Sequence, residues 1–269
     1  MARLLPTWLP LAILLAGCTA APVAPVRHPA VLERELAVGE LGGTLALPRG
    51  KGPYPALLLV PGSGPADRDA RIGPNTPFRD LARALAARGV VVLRYDKRTW
   101  LHGNTLSVQA TAREVTIDDA VEALRRLRGQ PEVDRKRVFV AGHSLGGFLA
   151  PRIAAGDGAT RGLVLLAPLS RPLHEVLPEQ MRYLAGRDGV LSELEQASLA
   201  EAERQRDQVR TLLAGGPAPD RPMLGIHAAY WRDLAASFPV TNLRAARIPV
   251  LVLQGERDYQ VTVDTDLRL

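Results

Sequence analysis

Short apolar runs alternate along this chain with longer stretches in which apolar residues recur every three or four positions. That alternation predicts an α/β fold, a mostly parallel sheet covered by helices. Residues 31–38 and 44–47 read as an opening hairpin around Gly42-Gly43. Residues 56–60 are apolar throughout, as a strand buried on both faces must be. Phe78, Leu81 and Leu85 mark the face of a helix closed by Gly89, and residues 90–93 form the next buried strand. Ile117, Val121, Leu124 and Leu127 line another helix, and residues 137–141 are a further strand. Residues 163–166 and 250–253 repeat the buried-strand pattern. Between these two lies a helical insert, about 173–237, rich in Glu, Gln, Arg and Leu, which reads as a cap on the sheet domain.

The first 18 residues break the pattern. Arg3 precedes an apolar run too short to span a bilayer, and the run ends in Leu15-Ala16-Gly17-Cys18. This resembles the bacterial lipobox, so residues 1–18 are expected to be a lipoprotein signal peptide with Cys18, the single cysteine, as the lipidated residue. Several acyl chains, palmitate among them, hold a protein at a membrane far more firmly than one. Residues 19–30, with three prolines, form a tether of about 35 Å in extended polyproline form. The expected location is the cell envelope, on a membrane outside the cytoplasm.

Residues 31–269 then make one large domain, and 46% hydrophobic residues suffice for its core. Only 4% are aromatic, so aliphatic packing dominates. The net charge of +6 comes from arginines interspersed with acids, without aromatic interleaving, which is a solvated basic surface and not a nucleic-acid face. No metal cluster or cofactor fingerprint is visible, and the sequence leaves the oligomeric state open.

Three segments point to acyl-transfer chemistry. Gly142-His143-Ser144-Leu145-Gly146 follows a buried strand and opens a helix, the context of a nucleophile elbow, where a tight turn requires glycine two residues either side of the serine. Pro61-Gly62-Ser63-Gly64-Pro65 leaves an earlier strand. Its glycines allow backbone amides to approach a developing oxyanion, with Leu145 as one donor and Ser63 or Gly64 as the other. Asp258 follows the strand 248–253 and is placed to orient a histidine, with Glu256 the weaker choice.

These segments, with Asp67-Arg68-Asp69, Leu93-Arg94-Tyr95-Asp96-Lys97-Arg98 and Pro249 to Asp258, resemble the α/β-hydrolase superfamily. The likeness is to bacterial serine esterases of the dienelactone-hydrolase and serine-aminopeptidase-like branch. It implies a triad of Ser144, Asp258 and a histidine acting on a small acyl ester, with the insert capping an acyl pocket. Tyr230 and Trp231 either line that pocket or pack on the core. In this family the histidine lies well beyond the acid, yet none follows Asp258. His28 is in the tether, His102 in a loop, and His174 and His227 in the cap, while the elbow directs His143 away. The chain therefore reads as a truncated copy without the last strand and helix, leaving an apolar strand edge unpaired, and without a base Ser144 is a poor nucleophile. Two other readings stay open: a non-catalytic surface lipoprotein that binds an acyl ligand, and a peptidase or acyltransferase on the same scaffold.

Overall fold

The computed structural model describes residues 31–103, 105–237 and 239–267, so the signal segment, the tether and Cys18 lie outside the described residues. The strands are β1 (Leu32–Glu35), β2 (Gly43–Leu47), β3 (Tyr54–Val60), β4 (Val91–Tyr95), β5 (Val133–His143), β6 (Leu163–Leu166) and β7 (Val250–Leu253). The helices are α1 (Pro77–Ala86), α2 (Arg98–His102), α3 (Asp118–Arg128), α4 (Leu145–Asp157), α5 (Leu173–Ala185), α6 (Glu193–Leu213), α7 (Ala228–Ala235) and α8 (Pro239–Ala246). No helix among the described residues is long and apolar enough to cross a membrane.

The seven strands lie in the order β1-β2-β4-β3-β5-β6-β7, antiparallel through β1, β2 and β4 and parallel from β4 onward. Because β3 lies between β4 and β5, the winding reverses beside it. The crevice beyond the carboxyl ends of β3 and β5 is thus a topological switch point, the place where open α/β sheets bind ligands.

The apolar run of β3 serves two cores. Ala56, Leu58 and Val60 join a cluster with Leu124 of α3 and Leu149 and Ile153 of α4. Leu57 and Leu59 pack with Phe78, Ala82 and Ala86 of α1 on the other face. The buried stripe of α1 is thus Phe78-Ala82-Ala86, with Leu81 and Leu85 only partly buried beside it. Small alanines let that helix lie close to the sheet.

Two expectations are corrected. The β1–β2 connection turns at Gly39-Glu40, not at Gly42-Gly43: Val38 and Leu41 exchange backbone hydrogen bonds of 2.9 Å, and Gly39 has φ +59°. Gly42 is glycine for another reason, since a Cβ there would fall 1.9 Å from Arg68 Nη2. The second concerns β7. It pairs only with β6 among the described residues, and Val250 to Leu253 are 38–53% exposed. An apolar run signals burial only when something covers the strand, and among the described residues no second strand or helix does so, in line with the unpaired apolar edge expected from the sequence.

A partly buried ion pair ties α3 to α4. Arg128 donates to both carboxylate oxygens of Asp157, which also accepts from the Thr160 hydroxyl. Burial alone would raise the Asp157 pKa, but Arg128 and Thr160 outweigh it and the net shift is downward. The stabilisation is therefore present above the unfolded carboxylate value of about 3.9 and lost as pH falls through the lower folded value. Asp157→Ala, which strands the partly buried Arg128, is expected to cost about 1–3 kcal/mol in urea unfolding at pH 7, between the exposed and fully buried limits. The gap from the parent protein should narrow in acid, and a gap independent of pH would refute the charge argument.

Candidate active site

Ser144 is the single residue between β5 and α4, with φ 51° and ψ −117°. This is strained backbone for a residue with a side chain, and it persists because neighbours over-determine it. The Ser144 amide donates to Leu166 O at 2.9 Å, and Ser144 O accepts from Phe148 N at 3.0 Å. A Cβ on Gly142 would fall 2.3 Å from Gly146 O, and one on Gly146 would fall 2.5 Å from Val60 O. The two flanking glycines are thus required by backbone on both sides. The hydroxyl does not cap α4, so it is not consumed structurally, and it sits where the helix dipole favours negative charge.

The loop after β3 lies against the serine. A Cβ on Gly62 would come within 3.1 Å of Ser144 Cβ, and Val60 pairs in register with Gly142. Among the described residues no hydrogen-bond acceptor is recorded for the backbone amides of Ser63 and Leu145. Lys97 Nζ donates to Gly62 O at 2.6 Å and Gly64 O at 3.1 Å, and Thr99 Oγ1 donates to Gly64 O at 3.1 Å. Farther along the loop, Arg68 Nη2 donates to Asp96 at 2.6 Å, and Arg94 Nε to Asp69 at 2.8 Å. The Asp-Arg-Asp and Arg-Tyr-Asp-Lys-Arg segments therefore brace one another. In the sequence, the opposed charges of the two segments are the signal of that role. Burial draws the Lys97 ammonium down to a pKa of about 8.

Asp258 sits in the turn that follows β7. Its carboxylate accepts from the amides of Gln260 (2.9 Å) and Val261 (3.1 Å) and from Gln254 Nε2 (3.2 Å). Glu256 is exposed. No histidine among the described residues is recorded as donating to Asp258. His143 is not directed wholly away from the site: its Nδ1 lies 3.2 Å from where a Gly62 Cβ would be, and its ring meets Phe78 edge to face at 6.5 Å. Although exposed, His143 is desolvated enough by the surrounding protein to have its pKa lowered, while the Asp258 carboxylate pulls the other way.

Helices α5, α6 and α7 line a partly open apolar pocket of about 140 Å³ together with Phe148, one turn beyond Ser144 on α4. Leu173, His174, Leu213, Trp231 and Leu234 line it. Trp231 combines both expected roles, since it lines the cavity, is fully buried and donates to Met223 O at 3.1 Å. Tyr230 packs against the core instead. His174 sets its ring edge to face with Trp231 at 5.8 Å, and burial lowers its pKa. Helix α5 also reaches the acid loop, where Tyr183 stacks on Tyr259 at 4.6 Å and Gln180 donates to Gln260 O at 3.0 Å.

Comparison with known proteins agrees with this architecture. Esterase EstD of Thermotoga maritima is 40% identical over 230 residues, covering 86% of this chain and 53% of its own length. The chain thus spans about half the length of the curated relative it matches. An acylaminoacyl peptidase from Pyrococcus horikoshii superposes with a TM-score of 0.52 at 13% identity, over 91% of this chain and 34% of that one. DcsB in complex with its substrate analogue gives a TM-score of 0.52 at 18% identity, over 87% and 83%. At such identities these two structures speak to the fold alone. Residues 57–268 match the profile of the Alpha/beta hydrolase family, a span running from β3 through the elbow to Asp258, and the chain belongs to that family.

Proposed function

We propose that this protein is a serine esterase that cleaves a small carboxylic ester through an acyl-enzyme on Ser144. The observation that carries the reading is a serine with an uncommitted hydroxyl, held at a strained elbow against a glycine loop at the switch point of the sheet. Ser144 Oγ attacks the ester carbonyl, and its proton passes to a general base, a role that no histidine beside Asp258 fills among the described residues. The Ser63 and Leu145 amides stabilise the oxyanion, the base returns the proton to the leaving oxygen so that an alcohol departs, and water deprotonated by the same base then hydrolyses the acyl-enzyme, freeing the acid and Ser144. Asp258 is the acid placed to orient such a base. Esterase EstD supports the ester as substrate class.

The cavity beside Phe148 takes the acyl group. At about 140 Å³ it resembles cavities of about 150 Å³ that admit a benzene-sized guest, so acyl chains of short to medium length are expected to react best. A panel of p-nitrophenyl esters from acetate to dodecanoate, beside the matching amides, tests this. Ester turnover peaking at short to medium chains, and moving to longer ones in Trp231→Ala, is the expected result. Turnover of amides alone would sink the esterase reading.

One observation favours a second reading. Asp258 is satisfied by Gln254, Gln260 and Val261, with no histidine recorded among its donors. Under that reading the cavity binds an acyl ligand without turning it over. Saturable binding of a fatty acid with no covalent labelling by a fluorophosphonate would favour binding over catalysis.

A further inference from the structure

Lys97 is buried to 3% exposure, yet no ion pair with a carboxylate is recorded for it, and the neighbouring Asp96 is engaged by Arg68. The recorded partners of its ammonium are the carbonyls of Gly62 and Gly64. A buried charge held by carbonyls alone is expensive, and an apolar side chain would fill the same space at less cost. The geometry of the loop shows what that charge does. In a trans peptide the C=O and the following N–H are coplanar and point in opposite directions. Pinning Gly62 O to the ammonium therefore turns the Ser63 N–H to the opposite edge of the same peptide, away from the ammonium. Gly64 O precedes Pro65, which has no N–H, so the second bond serves only to anchor the loop, as does Thr99. The close fit of Gly62 against Ser144 keeps this peptide beside the serine.

We infer that Lys97 is a positioning residue for the oxyanion site, its ammonium locking the Gly62–Ser63 peptide so that the Ser63 N–H faces the oxygen of a substrate bound at Ser144. This rests on the esterase reading above. A charged donor on the carbonyl also polarises the peptide and strengthens its N–H as a donor, because hydrogen bonds in a chain reinforce one another. The peptide arrives already oriented and needs no reorganisation as charge develops.

The test uses the full chain, uniformly labelled with nitrogen-15, as the parent protein and as Lys97→Met and Lys97→Arg. Misaiming one oxyanion donor is expected to lower kcat and the fluorophosphonate labelling rate of Lys97→Met about 10- to 100-fold, with KM changed less than about twofold. The Ser63 amide resonance should shift in Lys97→Met, and Lys97→Arg should restore much of both signals. Parent-like labelling with an unmoved Ser63 resonance in Lys97→Met would overturn the inference, as would a loss confined to KM. If Lys97→Met does not fold, Lys97→Gln keeps a donor without the charge and is expected to fall between the other two; parent-like kinetics and Ser63 resonance there overturn the role of the charge. Should Ser144→Ala label as fast as the parent, the esterase reading fails separately, while the Ser63 resonance still reports on the peptide.

Discussion

Ser144→Ala should abolish fluorophosphonate labelling and the Ser144-dependent ester turnover, a loss that reaches about a million-fold only where a base is in place beside the serine. The alanine leaves the elbow unchanged, because the hydroxyl caps no helix and the backbone bonds to Leu166 and Phe148 do not involve it. Far-ultraviolet dichroism and melting temperature should therefore stay at parent values, which separates loss of chemistry from loss of fold. The assay is best run with and without free imidazole as a soluble proton acceptor, since no histidine among the described residues is recorded as donating to Asp258. Acceleration in the parent and none in Ser144→Ala would localise the chemistry to this oxygen. Equal turnover in the two proteins, with or without imidazole, would move the site elsewhere.

The second large effect is expected at Gly146, where the obstacle is backbone. A side chain there meets Val60 O at 2.5 Å and Pro61 O at 2.6 Å, distances that real Cβ atoms essentially never show. Gly146→Val must push α4 off the loop after β3, carrying the Leu145 amide and the serine with it. A displacement of about 1 Å at reacting groups costs on the order of a hundredfold in rate, and overpacking of this kind costs about 1–3 kcal/mol in stability. Gly186→Ala is the control, since nothing lies within 4 Å of a Cβ there and its φ is −82°. Activity should fall with Gly146→Val and remain at parent level with Gly186→Ala. Parent-level turnover in Gly146→Val would mean that the elbow does not set the reacting geometry.

Much of the fold was legible because its signals are local. Residues 56–60 and 163–166 announce buried strands by being apolar at every position, and both are strands here. The elbow is equally local: Gly142, Ser144 and Gly146 must clear one another and the adjacent strand end, and their spacing in sequence states that requirement. Residues 250–253 show the limit of such reasoning. The run forms a strand, yet its burial depends on what lies beside it, and composition holds no record of that.

The braces around the site were illegible for a different reason. With 34 basic and 28 acidic side chains in the chain, pattern alone does not select Asp96 as the partner of Arg68, or two loop carbonyls as the partners of Lys97. Nor did the glycine-rich stretch at 39–43 reveal that Gly39 makes the turn while Gly42 makes room for Arg68.

The chain by itself determined where strands and helices form, where a serine must bend sharply and which loops are rich enough in glycine to approach it, because hydrophobic period and steric clearance act over a few residues. Only the tertiary structure decided that residues 62, 97 and 144 meet. Placing β3 between β4 and β5 brings together loops separated by tens of positions, and long-range strand order is settled by the packing of whole faces, which no short segment encodes.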